Sequence, residues 1–449
     1  MDVSLRLWDV IGRRPERLLG LLFALSALAF LATIPLPRVD NQLVGSDGVF
    51  YYAYLPSVWL DGDLDFTDEY RQLLGPGKEA VAGFTPKGLP VNGYPVGSAL
   101  LWSPFFLSAH GVVLALRALG AALPADGIGY PYQAVTLLAS IMYGSAGLWL
   151  VYRLCRRRFG PAAAAAAVVL LWLGSNVLYY MVAEPSMAHM CSLFALGLFF
   201  YLWDGRQEEG SWRAWLALGW VGGLAALVRV PDAIFLLLPA LGMLPRLPRA
   251  PARVLIRLFL YAAAALTAFA PQLFVWQALY GSLADGYKAM SGGVIFHWLA
   301  PKLWQVLFSS LHGLYTWHPL FLAATAGLVL LARRSPRERR WALLLAMGLA
   351  MQVYLVGAWR EWWQGDSFGG RMFISAVPIF ALGLAALLDH LSRTRYLSAA
   401  LAIAAALLAW NGLFMLEYRL GCFSRSAPVS LDQVWSAAFR CLPQFPLGR

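Results

Sequence analysis

The chain has 449 residues, 60% of them hydrophobic and 13% charged, about half the charged share of an average soluble domain. Apolar runs close to the ~20 residues that cross a bilayer recur from end to end, so an all-α polytopic membrane protein is expected. Soluble enzymes, nucleic-acid binders and, for want of alternating ten-residue strands, outer-membrane barrels are excluded. The formal net charge of +11 then reads as cationic loops retained in the cytoplasm.

In chain order, Arg6, Arg13, Arg14 and Arg17 precede a first apolar run at about 18–36. No convincing cleavage site follows it, so a retained span running from inside to outside is expected. Four further arginine clusters follow: Arg153, Arg156, Arg157 and Arg158; Arg246, Arg249, Arg253 and Arg257; Arg333 to Arg340; and Arg393 with Arg395. All five are assigned to the inner side, whereas Lys78, Lys87, Lys288 and Lys302 fall in outer loops. Span 132–154 must end inside at its arginines, which puts both ends of 37–131 outside. The apolar stretch 96–119 would break that parity by crossing, so it is expected to lie along the interface or to re-enter. The remaining spans are 161–181, 187–204, 212–230, 232–245, 252–280, 318–333, 341–359, 372–390 and 396–416, with 232–245 short for a crossing. About eleven spans result, with the N-terminus inside and the C-terminus outside. Residues 1–416 then form one transmembrane domain. Its first outer loop, 37–131, carries interfacial helices, 281–317 is an outer cap loop, and 417–449 is an outer tail.

The polar residues that topology leaves over concentrate on the outer side. Asp47, within Gly-Ser-Asp-Gly, leads into Phe50, Tyr51, Tyr52 and Tyr54; it reads either as the N-cap of an aromatic interfacial helix or as a working acid. Asp61, Asp63 and Asp65 alternate ahead of Asp68 and Glu69, a solvated acidic turn or a calcium loop that lacks the EF-hand spacing. Glu184 stands at the second outer turn with His189 just inside the next span, a costly position unless the groups are paired or used. Arg229 and Arg371 sit at outer span ends against the positive-inside trend, as does Arg360; they either snorkel to headgroups or clamp a phosphate. His297, His312 and His318 lack metal-ligand spacing and suit hydrogen bonding or substrate contact. Cys422 and Cys441 lie in the outer tail, where a disulfide is permitted, while Cys155 and Cys191 lie in or beside spans.

The order "SDGVFYY", "NGYPVGSALLW", "RRRFG", "AEPSMAH" and "ALVRVPD", mainly within residues 1–245, resembles the GT-C membrane glycosyltransferases. The nearest branch is family 39, which includes protein O-mannosyltransferases and the lipid A aminoarabinose transferase. The resemblance implies a sugar taken from a polyprenyl-phosphate carrier on the outer face and passed to a glycan, lipid or protein acceptor. It puts the catalytic acid on Asp47, the second-loop acid on Glu184 and the phosphate-binding base on Arg229. His189, Tyr51, Tyr94, His297 and Arg371 join these as substrate-binding candidates. Two positions depart from the family pattern: Gly48 replaces a second acid, and Tyr94-Pro95 replaces Lys-Pro. No cofactor is required, a divalent cation stays open, and no metal ligands are assigned. A bacterial inner membrane with a periplasm-facing site is the expected location. A lipid-linked glycan flippase and a non-catalytic assembly subunit are the alternatives.

Overall fold

The computed structural model describes residues 3–35, 42–204, 210–290 and 296–441. Residues 36–41, 291–295 and 442–449, parts of the expected first loop, cap loop and tail, lie outside the described residues. Among the described residues, seven helices are long and apolar enough to cross a membrane, eight if one bent pair counts as a single span. Shorter apolar helices, His189–Trp203, Trp212–Val228 and Pro319–Arg333, accompany them. The chain is a multi-pass, all-helical membrane protein.

It divides into two compact units. The first comprises Met1–Leu22, Leu148–Tyr179 and Ile295–Arg449. Here arginines from three of the five clusters expected on the inner side meet. Arg158 pairs with Glu338 at 2.8 Å, and Arg334 and Arg393 reach Asp389 at 3.5 and 3.2 Å. Arg334 also lies 4.7 Å from the Phe159 ring. Three arginine clusters widely separated in sequence thus share one end of this unit, as a common cytoplasmic face requires. The helix Leu397–Leu420 leads away from that end to a disulfide between Cys422 and Cys441, a bond suited to an oxidising compartment.

The expected span 161–181 is broken. Pro161–Leu173 and Asn176–Val182 meet at 64°. A break at membrane depth frees carbonyls that must find new donors. Asn411 supplies them, its Nδ2 donating to Leu173 O at 2.8 Å and Ser175 O at 3.1 Å.

The second unit comprises Phe23–Gly147 and Tyr180–Val294. Trp212–Val228 packs on Pro251–Tyr280 through Gly219 and Gly223, where an added Cβ would meet Tyr261 O at 2.1 Å and Ala265 O at 2.2 Å. Small residues four apart let helix backbones touch. The stretch expected to lie in the interface or re-enter is one unbroken helix, Gly97–Ala118. It has no break of the kind a re-entrant loop needs, and it is among the helices long enough to cross. The short segment 232–245 also differs from a plain helix. Val230–Leu236 and Leu244–Arg246 are 3-10 turns flanking Leu237–Met243. The 3-10 turns rise further per residue than an α-helix would.

Candidate functional site

The site is built in the second unit from four chain segments. The first is the turn Gly45-Ser46-Asp47-Gly48 ahead of the helix Gly48–Pro56. Ser46 adopts φ 53, left-handed for a residue with a side chain, a conformation that costs energy and clusters at functional positions. Asp47 follows it as the helix's first flanking residue, yet its side chain makes no capping hydrogen bond. Instead Asp47 Oδ1 accepts from the Tyr94 hydroxyl at 2.9 Å. The N-cap reading of Asp47 therefore gives way to a carboxylate directed at another segment.

That second segment is Asn92–Gly97. Asn92 Nδ2 donates to Phe50 O at 2.9 Å, its Oδ1 accepts from Tyr94 N, and its carbonyl accepts from the Tyr280 hydroxyl. The Tyr94 ring stacks on Phe50 at 4.9 Å between centroids and meets Tyr51 edge-on at 5.1 Å. Tyr54 Oη reaches the Tyr94 carbonyl. Tyr94 is thus gripped at its ring, carbonyl and amide, so its hydroxyl is held on Asp47. Gly97 then permits a close approach to the end of the next segment, since a Cβ there would meet the Leu227 carbonyl at 2.4 Å.

The third segment is Leu227–Asp232, where the helix Trp212–Val228 stops before Pro231. Arg229 is buried and its Nη1 lies 3.1 Å from His189 Nδ1. Guanidinium only donates, so His189 Nδ1 accepts and the ring proton sits on Nε2. Asp232, also buried, accepts from Ser192 Oγ at 2.6 Å. His189 with Ser192, and Arg229 with Asp232, are two i, i+3 pairs facing each other.

The fourth segment is the turn Glu184–His189. Its Ser186 hydroxyl donates to Gly45 O at 3.4 Å. The same Oγ lies 2.3 Å from where a Gly48 Cβ would stand. The space beside Asp47 that a second acidic side chain needs is filled by Ser186.

Asp47, Tyr51, Tyr94, Glu184, His189 and Arg229 are therefore carried on segments that touch one another within one unit. Glu184 sits half-buried at the base of its turn, accepting through its carbonyl from Met187 N. His297 and Arg371 belong to the first unit. His297 is exposed and its amide pairs with Ala358 O. Arg371 opens a 3-10 turn, Arg371–Ala376, its amide on Gly369 O. Ser186, Asp232, Asn92 and Tyr280 escaped the sequence reading. The three-residue spacing of Asp232 from Arg229 was the one available signal. Among the described residues no group of three or more His, Cys, Asp or Glu could hold a metal ion, and Asp61, Asp63 and Asp65 form none.

The helical bundle is similar in fold to the GT-C membrane glycosyltransferases, and in its second unit the segments bearing Asp47, Tyr94, His189 and Arg229 meet. Residues 128–276 match the family model of dolichyl-phosphate-mannose-protein mannosyltransferase, a stretch containing Glu184, His189, Arg229 and Asp232. ArnT from Cupriavidus metallidurans bound to undecaprenyl phosphate is similar in fold, at TM-score 0.54 and 19% identity, over 94% of this chain and 68% of that one. The archaeal oligosaccharyltransferase AglB from Archaeoglobus fulgidus, in complex with an inhibitory peptide and a dolichol-phosphate, gives TM-score 0.53 and 14% identity over 91% of this chain. The chain spans 55% of the length of that AglB. A second Archaeoglobus fulgidus oligosaccharyltransferase structure, a complex with Zn and sulfate, gives 0.50 at 17% identity, over 88% of this chain and 52% of that one. No curated protein sequence matches the chain.

Proposed function

We propose that the protein is a membrane glycosyltransferase that moves a sugar from a polyprenyl-phosphate carrier to an acceptor hydroxyl at the outer face of a bacterial inner membrane. The observation that carries this reading is Asp47, left out of helix capping behind a strained Ser46 and held by Tyr94. The family match and the polyprenyl phosphates bound in the two fold relatives support a lipid-linked donor.

In the proposed mechanism Asp47 takes the proton of the acceptor hydroxyl as its oxygen bonds to the anomeric carbon. The carbon–oxygen bond to the carrier phosphate breaks on the opposite face, with inversion, and the lipid phosphate leaves as an anion. Arg229, with its guanidinium oriented by His189, stabilises that charge, which is the larger electrostatic contribution in such reactions. Glu184 and the Tyr51–Tyr94 aromatic pair contact the sugar or acceptor. Arg371 and His297 stay substrate-contact candidates on residue type. The mechanism requires no obligatory metal, because Arg229 supplies the positive charge at the leaving phosphate, and a divalent cation stays compatible with it.

The test is transfer in proteoliposomes from radiolabelled polyprenyl-phosphate sugars to extracted envelope acceptors. A positioned base is worth about 10²–10⁴-fold, so Asp47→Asn should lose that much turnover. Full activity in Asp47→Asn would remove Asp47 from the mechanism. Labelled carrier that changes leaflet without forming a new bond would make the protein a flippase instead.

A further inference from the structure

The segment beyond the last spanning helix carries a surface the transfer chemistry does not use. Leu397–Leu420 ends at Gly421, and the Cys422–Cys441 disulfide closes the 19-residue separation that follows. Within it Ser430 opens the helix Leu431–Arg440 with a capping box, its amide donating to Gln433 Oε1 at 2.8 Å. A ten-residue helix is marginal alone in water; this one is held at its start by the cap and at its end by the disulfide.

At about 100° per residue the helix presents three sectors. Val434 and Ala437 are buried in the first unit. Gln433, Ser436 and Arg440 line a small cavity with Ser424 and the two cysteines. Leu431, Trp435 and Phe439, at i, i+4 and i+8, form the third sector and are 65%, 57% and 74% exposed. We infer that this third sector lies in the outer boundary of the lipid bilayer, making the disulfide-closed hairpin a membrane-interface anchor.

Two observations select lipid as the occupant. The Trp435 ring lies 6.0 Å from Trp410, which is on the spanning helix about 15 Å before its outer end. The short helix thus folds back along the spanning helix, whose Ile403 and Leu416 are exposed as well. Its apolar sector continues that exposed apolar surface, as the apolar face of an interfacial helix does. Three such side chains also offer only on the order of 400 Å², against about 800 Å² per partner in a stable protein interface. Arg440 on the polar sector and Arg425, 5.0 Å from the Tyr418 ring, suit anionic headgroups.

Photo-cross-linking tests this on the full chain in liposomes of phosphatidylethanolamine and phosphatidylglycerol. Benzoylphenylalanine is introduced at Trp435, at Phe439 and, as the polar-face control, at Gln433. Phospholipid adducts at Trp435 and Phe439 should exceed those at Gln433 by roughly tenfold, as burial of one face predicts. Lipid labelling no higher than at Gln433, or adducts at Trp435 and Phe439 to a second copy of the chain or to another polypeptide, would overturn the assignment. The readout is independent of transferase activity.

Discussion

Gly48→Ala probes the contact between the Asp47 turn and the Glu184–His189 turn. The added Cβ would stand 2.3 Å from Ser186 Oγ, 2.5 Å from its Cβ and 3.0 Å from its carbonyl oxygen, where about 3.5–4.0 Å is comfortable. Ser186 is buried and bonded to Gly45 O, so it has little room to swing aside. Overpacking of this kind costs about 1–3 kcal/mol. Alanine is favoured over glycine in helices by up to about 1 kcal/mol, and less in the first turn, where position 48 lies. The clash wins, with a net loss of about 1–2 kcal/mol. Relief by pushing Asp47 aside is costlier for function, because a displacement of about 1 Å from reacting geometry can lose ~10²-fold. Thermal unfolding in detergent and transfer rate should both be measured for Gly48→Ala, Ser186→Gly and the double variant. Ser186→Gly removes the two nearest atoms and leaves only the 3.0 Å carbonyl contact. The double variant should therefore recover most of the loss, with a coupling of about 1–2 kcal/mol in the cycle. Wild-type stability and activity in Gly48→Ala, or strict additivity in the cycle, would refute the reasoning.

Tyr94→Phe removes one hydrogen bond to a carboxylate, worth about 1.5–3 kcal/mol; kcat should fall by roughly 10- to 150-fold with KM little changed, read from steady-state transfer. Glu69, in the first-loop helix Thr67–Leu74, is pushed up to about 8 by burial, with Asp61 and Asp63 adding to the shift. Its folded value is raised above the unfolded 4.5, so its stabilising contribution is full below that pH and is lost as pH rises through about 8. Melting curves from pH 5 to 9 should show Glu69→Gln gaining on wild type as the pH climbs, and parallel curves would contradict the burial argument. Cys422→Ala with Cys441→Ala opens the 19-residue closure and should cost about 3 kcal/mol, measured as a lower melting temperature that reducing agent no longer affects.

Much of this architecture was legible without coordinates because its causes are local. A twenty-residue apolar run is expensive outside lipid wherever it occurs, and arginines stay inside for reasons that do not depend on packing. Three of the expected inner clusters do share one end of their unit, joined by Arg158–Glu338, Arg334–Asp389 and Arg393–Asp389. Glu184 and Arg229 stood out because a charge at the end of a span is costly unless it has a use, and Asp47 because a small polar turn carries it into an aromatic helix. The spans that departed from a plain helix did so through non-local groups or altered local geometry. The bend after Leu173 is satisfied by Asn411, 238 residues away, and the short segment after Arg229 gains reach by 3-10 winding.

The sequence by itself determined the multi-pass helical architecture and which segments carry reactive groups. Tertiary structure alone decided that Asp47 serves no helix cap, that Tyr94 is its partner, that Ser186 occupies the space over Gly48, and that Asp232 and Ser192 meet beside the His189–Arg229 contact. Hydropathy and charge placement are properties of a residue and its immediate neighbours. A hydrogen bond across 47 residues, or a backbone approach such as Gly97 on Leu227, depends on how helices cross, which the packing of small residues sets and no local pattern encodes.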